Sequence, residues 1–256
     1  MVMENSKMNF LLEVPYSSVG YDPQVVRGLL KNNKVLVLRG YQKEESISDF
    51  FDTFSDNIGQ VIDMDEDAET GAPTGKRWIS IAYDEAHPDK YRSAPVAQPL
   101  HTDYSYIEVD DNIQFFFCKS RAKFGGATTF IDADVIVDLI KTEGLNDLLE
   151  RLLNTPVTHT KGGRSKSKPI ISLEDGVYKM NWNYYPAMSS DIEKDLVEEF
   201  HNFLQTRIVQ SGLVSQCLLE QNDCVFFHDS LILHGRNSYF ATHKGQRELI
   251  KGTLLI

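Results

Sequence analysis

Hydrophobic and polar positions change period several times along the chain, and the changes divide it into short helices and strands. In residues 21–33, Val25, Val26, Leu29 and Leu30 fall on one helical stripe, with Pro23 near the start, where a missing N–H costs nothing. The run 34–38 (KVLVL) reads as a strand, and in 44–58 Ile47, Phe50, Phe51 and Phe54 return to helical spacing, so the opening reads α-β-α. Residues 61–99 lose periodicity in an acidic stretch containing Gly and Pro, with one apolar run at 78–83. A connection that long inside a domain is usually functional or mobile. Beyond it, 113–118 (IQFFFC), 127–131 (ATTFI), 177–183, 224–227 and 249–256 have strand composition. Helical patterns interrupt them at 133–141, 145–153 and 190–209. The last is preceded by Ser189 and opens with Ser190 and Asp191, an N-cap signal, and it spaces Ile192, Leu196, Phe200 and Leu204 four apart. Short strands, scattered helices and no βαβ alternation after the opening predict an α+β protein built on an antiparallel sandwich or barrel. A doubly wound nucleotide-binding sheet is the weaker alternative, because the chain has neither G-x-G-x-x-G nor a P-loop. The pairs Gly125–Gly126 and Gly162–Gly163 read as turns.

Composition narrows the partners. A 256-residue chain with 41% hydrophobic and 11% aromatic residues can fill the core of one large domain or two small ones. Its 37 acidic against 26 basic side chains give a formal charge of −11, which argues against nucleic acid, since neutralising phosphates needs a surplus of Lys and Arg. Cys118, Cys217 and Cys224 are too few for a disulfide framework and suit a reducing compartment. The N-terminal residues lack a signal-peptide pattern, and no run approaches the roughly 18 apolar residues of a membrane span. The expectation is a cytoplasmic protein that takes no membrane partner.

Among the seven histidines, His101 differs because Asp103 follows two residues later. Side chains i and i+2 share one face of an extended chain, so an imidazole and a carboxylate can converge on one ion. The segment 226–237 (FFHDSLILHGRN) offers His228 and His234 as a third ligand. Two His and one carboxylate leave positions open on a metal, as in non-haem Fe(II) oxygenases, although zinc hydrolases use similar sets. Arg247, which opens the final apolar run RELIKGTLLI, is either a solvated strand-end residue or a guanidinium that holds a carboxylate bidentately beside the metal.

Together these residues resemble the Fe(II)- and 2-oxoglutarate-dependent dioxygenases of the taurine dioxygenase (TauD/TfdA) superfamily, over most of the chain. His101 and Asp103 match the family's His-x-Asp pair, and His234 its distal histidine. Arg247 matches the arginine that binds the far carboxylate of 2-oxoglutarate, and Thr128, in Gly125-Gly126-Ala127-Thr128, matches the threonine that assists it. Length and the GATT run are most similar to carbapenem synthase-like and clavaminate synthase-like members. The resemblance implies a double-stranded β-helix (jelly-roll, cupin-like) core over roughly 94–256, with flanking and inserted helices. One domain would then span 1–256, with an N-terminal α/β part at 1–60, an active-site loop at 61–99 and a helical insert at 189–211. It further implies Fe(II), 2-oxoglutarate and O₂, release of succinate and CO₂, and hydroxylation, desaturation or cyclisation of a small amino-acid-like or carboxylate-bearing substrate. The family often carries Asp-Asn six and five residues before the distal histidine, where this chain has His228 and Asp229. His228 is therefore a competing ligand candidate.

Candidate substrate contacts are Lys251, Tyr104, Tyr106, Gln114, Phe116, Asn181, Asn183, Tyr184 and Arg236. Lys251 shares a strand face with Arg247 and stands where taurine-type enzymes carry a second basic residue for the substrate's anionic group. Trp182 and Tyr184 either stack on a substrate or pack on the 190–209 helix. The basic run 161–168 (KGGRSKSK) reads as a solvated hairpin loop, with a lid over an anionic substrate as the second reading. The competing function is a metal-dependent hydrolase or isomerase on a cupin-like barrel, which needs the trio but not Arg247 or Thr128.

Overall fold

Alternation with a period of two sorts the strand side chains onto two faces, and the architecture follows from where each face is buried. The computed structural model describes residues 8–67, 72–87, 92–109, 111–187 and 193–256. In chain order the elements are β1 (Asn9–Pro15), α1 (Pro23–Leu30), β2 (Asn33–Arg39), α2 (Ile47–Ile58), β3 (Gln60–Val61), β4 (Ile79–Ala82), β5 (Gln98–His101), β6 (Ile113–Ser120), β7 (Phe124–Gly125) and β8 (Thr128–Asp132). Then come α3 (Ala133–Thr142), α4 (Asn146–Asn154), the hairpin β9 (Pro156–Lys161) and β10 (Arg164–Pro169), and the hairpin β11 (Ile171–Glu174) and β12 (Val177–Met180). The chain closes with α5 (Tyr184–Ala187), α6 (Lys194–Phe203), β13 (Ser215–Cys217), β14 (Cys224–His228), β15 (Ile232–Arg236), β16 (Tyr239–Phe240) and β17 (Glu248–Leu255).

A seven-stranded sheet runs β1-β2-β14-β6-β17-β3, with β4 also on β17, and a four-stranded sheet runs β13-β8-β15-β5. Their facing sides share one apolar layer: Val35, Val37, Phe116, Val225, Phe227 and Leu249 from the large sheet meet Phe130 and Ile232 from the small one. The outer face of the large sheet, Leu36, Leu38, Phe115, Phe117 and Phe226, is covered by Phe50, Phe51 and Phe54 of α2. The outer face of the small sheet, Leu100, Ile131 and Leu233, is covered by α3, α4 and α6. The triple phenylalanine is thus divided: Phe51 stacks on Phe115 at 5.4 Å and on Phe117 at 4.8 Å, while Phe116 turns inward to Phe227 at 5.3 Å. Each buried phenylalanine contributes roughly 1.5–3 kcal/mol relative to exposure.

Two local expectations change. A strand precedes the expected α-β-α opening, because β1 pairs in parallel with β2 through Leu11↔Val35 and Val14↔Leu38. At the sheet edge β1 buries little, so its residues lack the alternation that marks a half-buried strand. The expected strand 177–183 stops at Met180, where the chain turns irregular before α5. The 190–209 helix is α6 followed by a π-helical turn at Leu204–Val209, and its expected cap at Ser189–Asp191, with Ile192, lies outside the described residues. Gly162 and Gly163, at φ +57° and +76°, form the turn between β9 and β10. Lys34 is fully buried and its Nζ donates to Asp132 Oδ1 (2.7 Å) and Asp134 Oδ2 (3.1 Å), tying β2 to the start of α3. Cys118, Cys217 and Cys224 are buried free thiols. Among the described residues no helix is long and apolar enough to cross a membrane.

Candidate active site

β15 lies antiparallel to β5 with His234 directly opposite His101, so two imidazoles from distant parts of the chain meet across one strand pair. Gly235 permits the approach, since a Cβ there would sit 2.7 Å from the Gln98 carbonyl oxygen. Asp103 lies two residues past the last residue of β5, and one donor atom from each of His101, Asp103 and His234 falls within 4.8 Å of the others. His101 Nε2 is 3.9 Å from Asp103 Oδ1, and His234 Nε2 is 3.7 Å from Asp103 Oδ2. Between the two ligands Thr102 faces the opposite way: its N–H donates to the Trp182 carbonyl at 2.6 Å, and its Oγ1 accepts from the Trp182 N–H at 3.1 Å. The ligand turn is thereby stitched to residues 181–183. His159 holds that segment, its Nε2 accepting from the Asn183 N–H at 3.3 Å, and burial pushes its pKa down to about 4.

Burial lowers the pKa of both His101 and His234, the latter also through the neighbouring His101, so both rings are neutral, as metal ligation requires. For Asp103 burial works in the other direction, yet the Lys251 ammonium beside it holds its carboxyl well below the usual range. Lys251 Nζ lies 2.7 Å from Asp103 Oδ2. Lys251, a candidate for a substrate anion in the sequence, has its ammonium on the carboxylate of the candidate ligand Asp103.

Asp229 was noticed in the sequence only as a departure from the family pattern. Its two oxygens accept from the Asp103 backbone N–H at 3.0 and 3.1 Å, and its Oδ1 stands 3.9 Å from His234 Nδ1. Burial, then the Asp103 charge, raise its carboxyl to about 7. The competing candidate His228 is turned away: its Nε2 bonds the Leu30 carbonyl at 2.8 Å, and it is not in the His101–Asp103–His234 group.

Arg247 precedes β17 and is buried, with Nη1 unpartnered and Nη2 only 3.4 Å from the Gly126 carbonyl. An orphaned guanidinium edge in the protein interior is costly unless an anion receives it, and its planar fork fits a carboxylate. Arg247 and Thr128 line one pocket, with Gly126, Cys118 and Leu249. Tyr239 supports this cation, with the Arg247 Cζ 4.8 Å and the Arg236 Cζ 4.9 Å from its ring centroid. Arg236 itself donates to the Ala94 and Val96 carbonyls (2.5 and 2.8 Å), clamping the segment that leads into β5. Gly126, at φ +82°, is required twice: L-residues avoid that backbone, and a Cβ would lie 3.0 Å from Arg247 Nε. Gly126→Ala is accordingly expected to raise the oxoglutarate dissociation constant about tenfold while costing about 1 kcal/mol of stability. Isothermal titration beside thermal melts checks this, and an unchanged affinity would show that Arg247 does not depend on the glycine.

The other candidates have these partners. Tyr104 OH bonds Thr253 Oγ1 at 2.8 Å, and Thr253 Oγ1 donates to Gln114 Oε1 at 3.0 Å. Gln114 Nε2 donates to Asn112 Oδ1. Tyr106 OH donates to Glu66 Oε2, which also receives Lys161 Nζ, both at 3.0 Å, so the β9–β10 hairpin is docked on the segment after the ligands. Asn181 Nδ2 is 3.4 Å from His159 Nδ1. Phe116 lies 6.2 Å from the His234 ring. Trp182 packs edge-on against Phe200, and Tyr184 stacks on His201 at 3.8 Å and donates to Glu198, contacts of helix packing.

Known structures share the fold. PvcB of Pseudomonas aeruginosa superposes with a TM-score of 0.69 at 16% identity, over 97% of this chain and 87% of its own. An asparagine oxygenase solved with Fe(II), 2S,3S-3-hydroxyasparagine and succinate has a TM-score of 0.69 at 10% identity, over 94% of this chain and 79% of its own. The non-haem iron oxygenase OrfP, solved with Fe and α-ketoglutaric acid, has a TM-score of 0.64 at 14% identity, over 93% and 84%. At such identities the likeness is one of fold. A search of curated proteins gave no match. The sequence profile described as "Taurine catabolism dioxygenase TauD, TfdA family" matches residues 9–253, a span that includes both histidines, Asp103, Thr128 and Arg247. With nearly the whole chain inside that match, the protein belongs to the TauD/TfdA dioxygenase family.

Proposed function

We propose that this family member is a non-haem Fe(II)- and 2-oxoglutarate-dependent oxygenase that hydroxylates, desaturates or cyclises a small amino-acid-like substrate. The observation that carries the reading is the buried, unpartnered edge of Arg247, which shares a pocket with Thr128 of β8, the strand paired to the β15 that carries His234. A hydrolase or isomerase would use the trio alone and leave Arg247 without an anion. His101, Asp103 and His234 would hold Fe(II), and Arg247 with Thr128 would hold the far carboxylate of 2-oxoglutarate. When bound, the two supply the oxidising chemistry, in which O₂ is consumed, oxoglutarate becomes succinate and CO₂, and a substrate C–H bond is oxidised. The chain's own share is geometric: Thr102 and Asp229 fix the ligand turn, Tyr239 and Gly126 aim Arg247, and the phenylalanines between the sheets exclude water.

The amino-acid-like class draws support from the structural neighbours. The asparagine oxygenase holds hydroxyasparagine, OrfP holds (3S)-hydroxy-L-Arg, and PvcB is described as an Fe, alpha-ketoglutarate dependent oxygenase from an isonitrile synthetic pathway. We propose Tyr104, Tyr106, Gln114 and Asn181, gathered around the ligand turn, as the residues nearest that substrate, in one catalytic unit with a jelly-roll core. The test has an anaerobic binding arm and an aerobic turnover arm. 2-Oxoglutarate added to Fe(II)-loaded protein is expected to give a weak visible charge-transfer band, and turnover on an amino-acid panel to release succinate in step with product. If no band forms and His101→Ala binds oxoglutarate as well as wild type, the reading is wrong.

A further inference from the structure

A buried ammonium already sits on one carboxylate of this site. Lys251 Nζ lies 2.7 Å from Asp103 Oδ2, the oxygen that also faces His234 Nε2 at 3.7 Å. Lys251 is buried, the Asp103 side chain is only 16% exposed, and the Tyr104 ring closes over the ammonium with its centroid 4.8 Å away. Lys251 cannot withdraw with its backbone, since β17 is paired there on both sides, to Phe116 and to Ile79. The nearby second carboxylate, Asp229, has both oxygens on the Asp103 N–H rather than on Lys251. A divalent ion held by the trio therefore sits beside a fixed positive charge with little water to screen it. Metal alone leaves the site with a surplus of positive charge, which a dianion such as 2-oxoglutarate would relieve.

From this geometry we infer that Lys251 is a built-in competitor for the metal's carboxylate, and that it makes tight metal binding depend on arrival of the dianionic cosubstrate. The inference rests on the oxygenase reading above. It assigns Lys251 to Asp103 rather than to an anionic group of the primary substrate. The residue acts through Asp103 and is a positioning residue, not one that touches the reacting atoms.

The experiment is a Mn(II) titration of the full chain, followed by electron paramagnetic resonance, with and without 2-oxoglutarate, for wild type, Lys251→Met and Lys251→Gln. Mn(II) alone is expected to bind at least about tenfold more tightly to both variants, because each removes the charge while shortening the side chain by only one atom. The factor by which oxoglutarate tightens Mn(II) is expected to shrink about tenfold, and the factor by which Mn(II) tightens oxoglutarate must shrink equally. A merely structural lysine would loosen metal binding when removed, so equal or weaker Mn(II) affinity in both variants overturns the inference. A change confined to the primary substrate's KM also overturns it and returns Lys251 to substrate binding. If wild type holds neither Mn(II) nor oxoglutarate, the oxygenase reading fails and this inference with it.

Discussion

Arg247→Ala is expected to weaken 2-oxoglutarate binding by about 10- to 100-fold, the worth of charge-assisted hydrogen bonds in a dry pocket. The affinity for Mn(II) alone should stay within about twofold, because the guanidinium's contacts are the Gly126 carbonyl and the Tyr239 ring, neither of them in the His101–Asp103–His234 group. Arg247→Lys keeps the charge and loses the planar fork, so about a tenfold loss is expected. The contrast with Lys251 is diagnostic: changing Lys251 moves metal binding itself, whereas changing Arg247 moves only the cosubstrate. Titration of oxoglutarate into Mn(II)-saturated protein checks both arginine variants. Wild-type affinity in Arg247→Ala would mean that the oxoglutarate carboxylate lies elsewhere, and the pocket beside Thr128 would need another ligand.

Lys34→Ala should be among the most destabilising single changes in the chain, at about 3–5 kcal/mol, because it strands the buried Asp132 carboxylate without its counter-charge. For a chain of this size that loss lowers Tm by on the order of 10 °C. Asp132 also caps α3, accepting the Asp134 N–H at 2.8 Å, so the change loosens the end of β8 and the helix together. Combining Lys34→Met with Asp132→Asn and Asp134→Asn should restore most of the stability, since no lone charge remains buried and the capping acceptor is kept. Differential scanning calorimetry distinguishes the cases. A loss under about 1 kcal/mol for Lys34→Ala would show the pair to be as weak as an exposed one.

Several elements were legible because they bury one face strongly. The stripes of α1 and α2, the KVLVL strand and the FFF run carry their periods in the open. The edge strand β1 was not legible, since a strand at a sheet margin needs no clean alternation. β9 and β10 are polar strands whose pairing is announced only by their Gly-Gly turn. In the site, His101 and Asp103 are near neighbours in the chain, and His234 and Arg247 stand 13 residues apart at the start and end of the segment leading into the final apolar run. Asp229, Tyr239, Thr102 and His159 carried no comparable signal, because an aspartate, a tyrosine, a threonine and a buried histidine each have many ordinary uses.

The sequence by itself determined the chemistry on offer: which side chains can ligate a metal, which guanidinium can take a carboxylate, and that the chain is acidic overall with a large apolar core. Only the tertiary structure decided the pairings. Strand register sets His234 against His101, turns His228 toward Leu30, and brings Lys251 to Asp103 across 148 residues of chain. The physical reason is that charge and hydrogen-bonding capacity belong to a residue type and are read one position at a time. Which groups become neighbours in a low-dielectric interior is instead a property of the packed sheets, where a shift of one residue would turn every side chain of a strand to its other face.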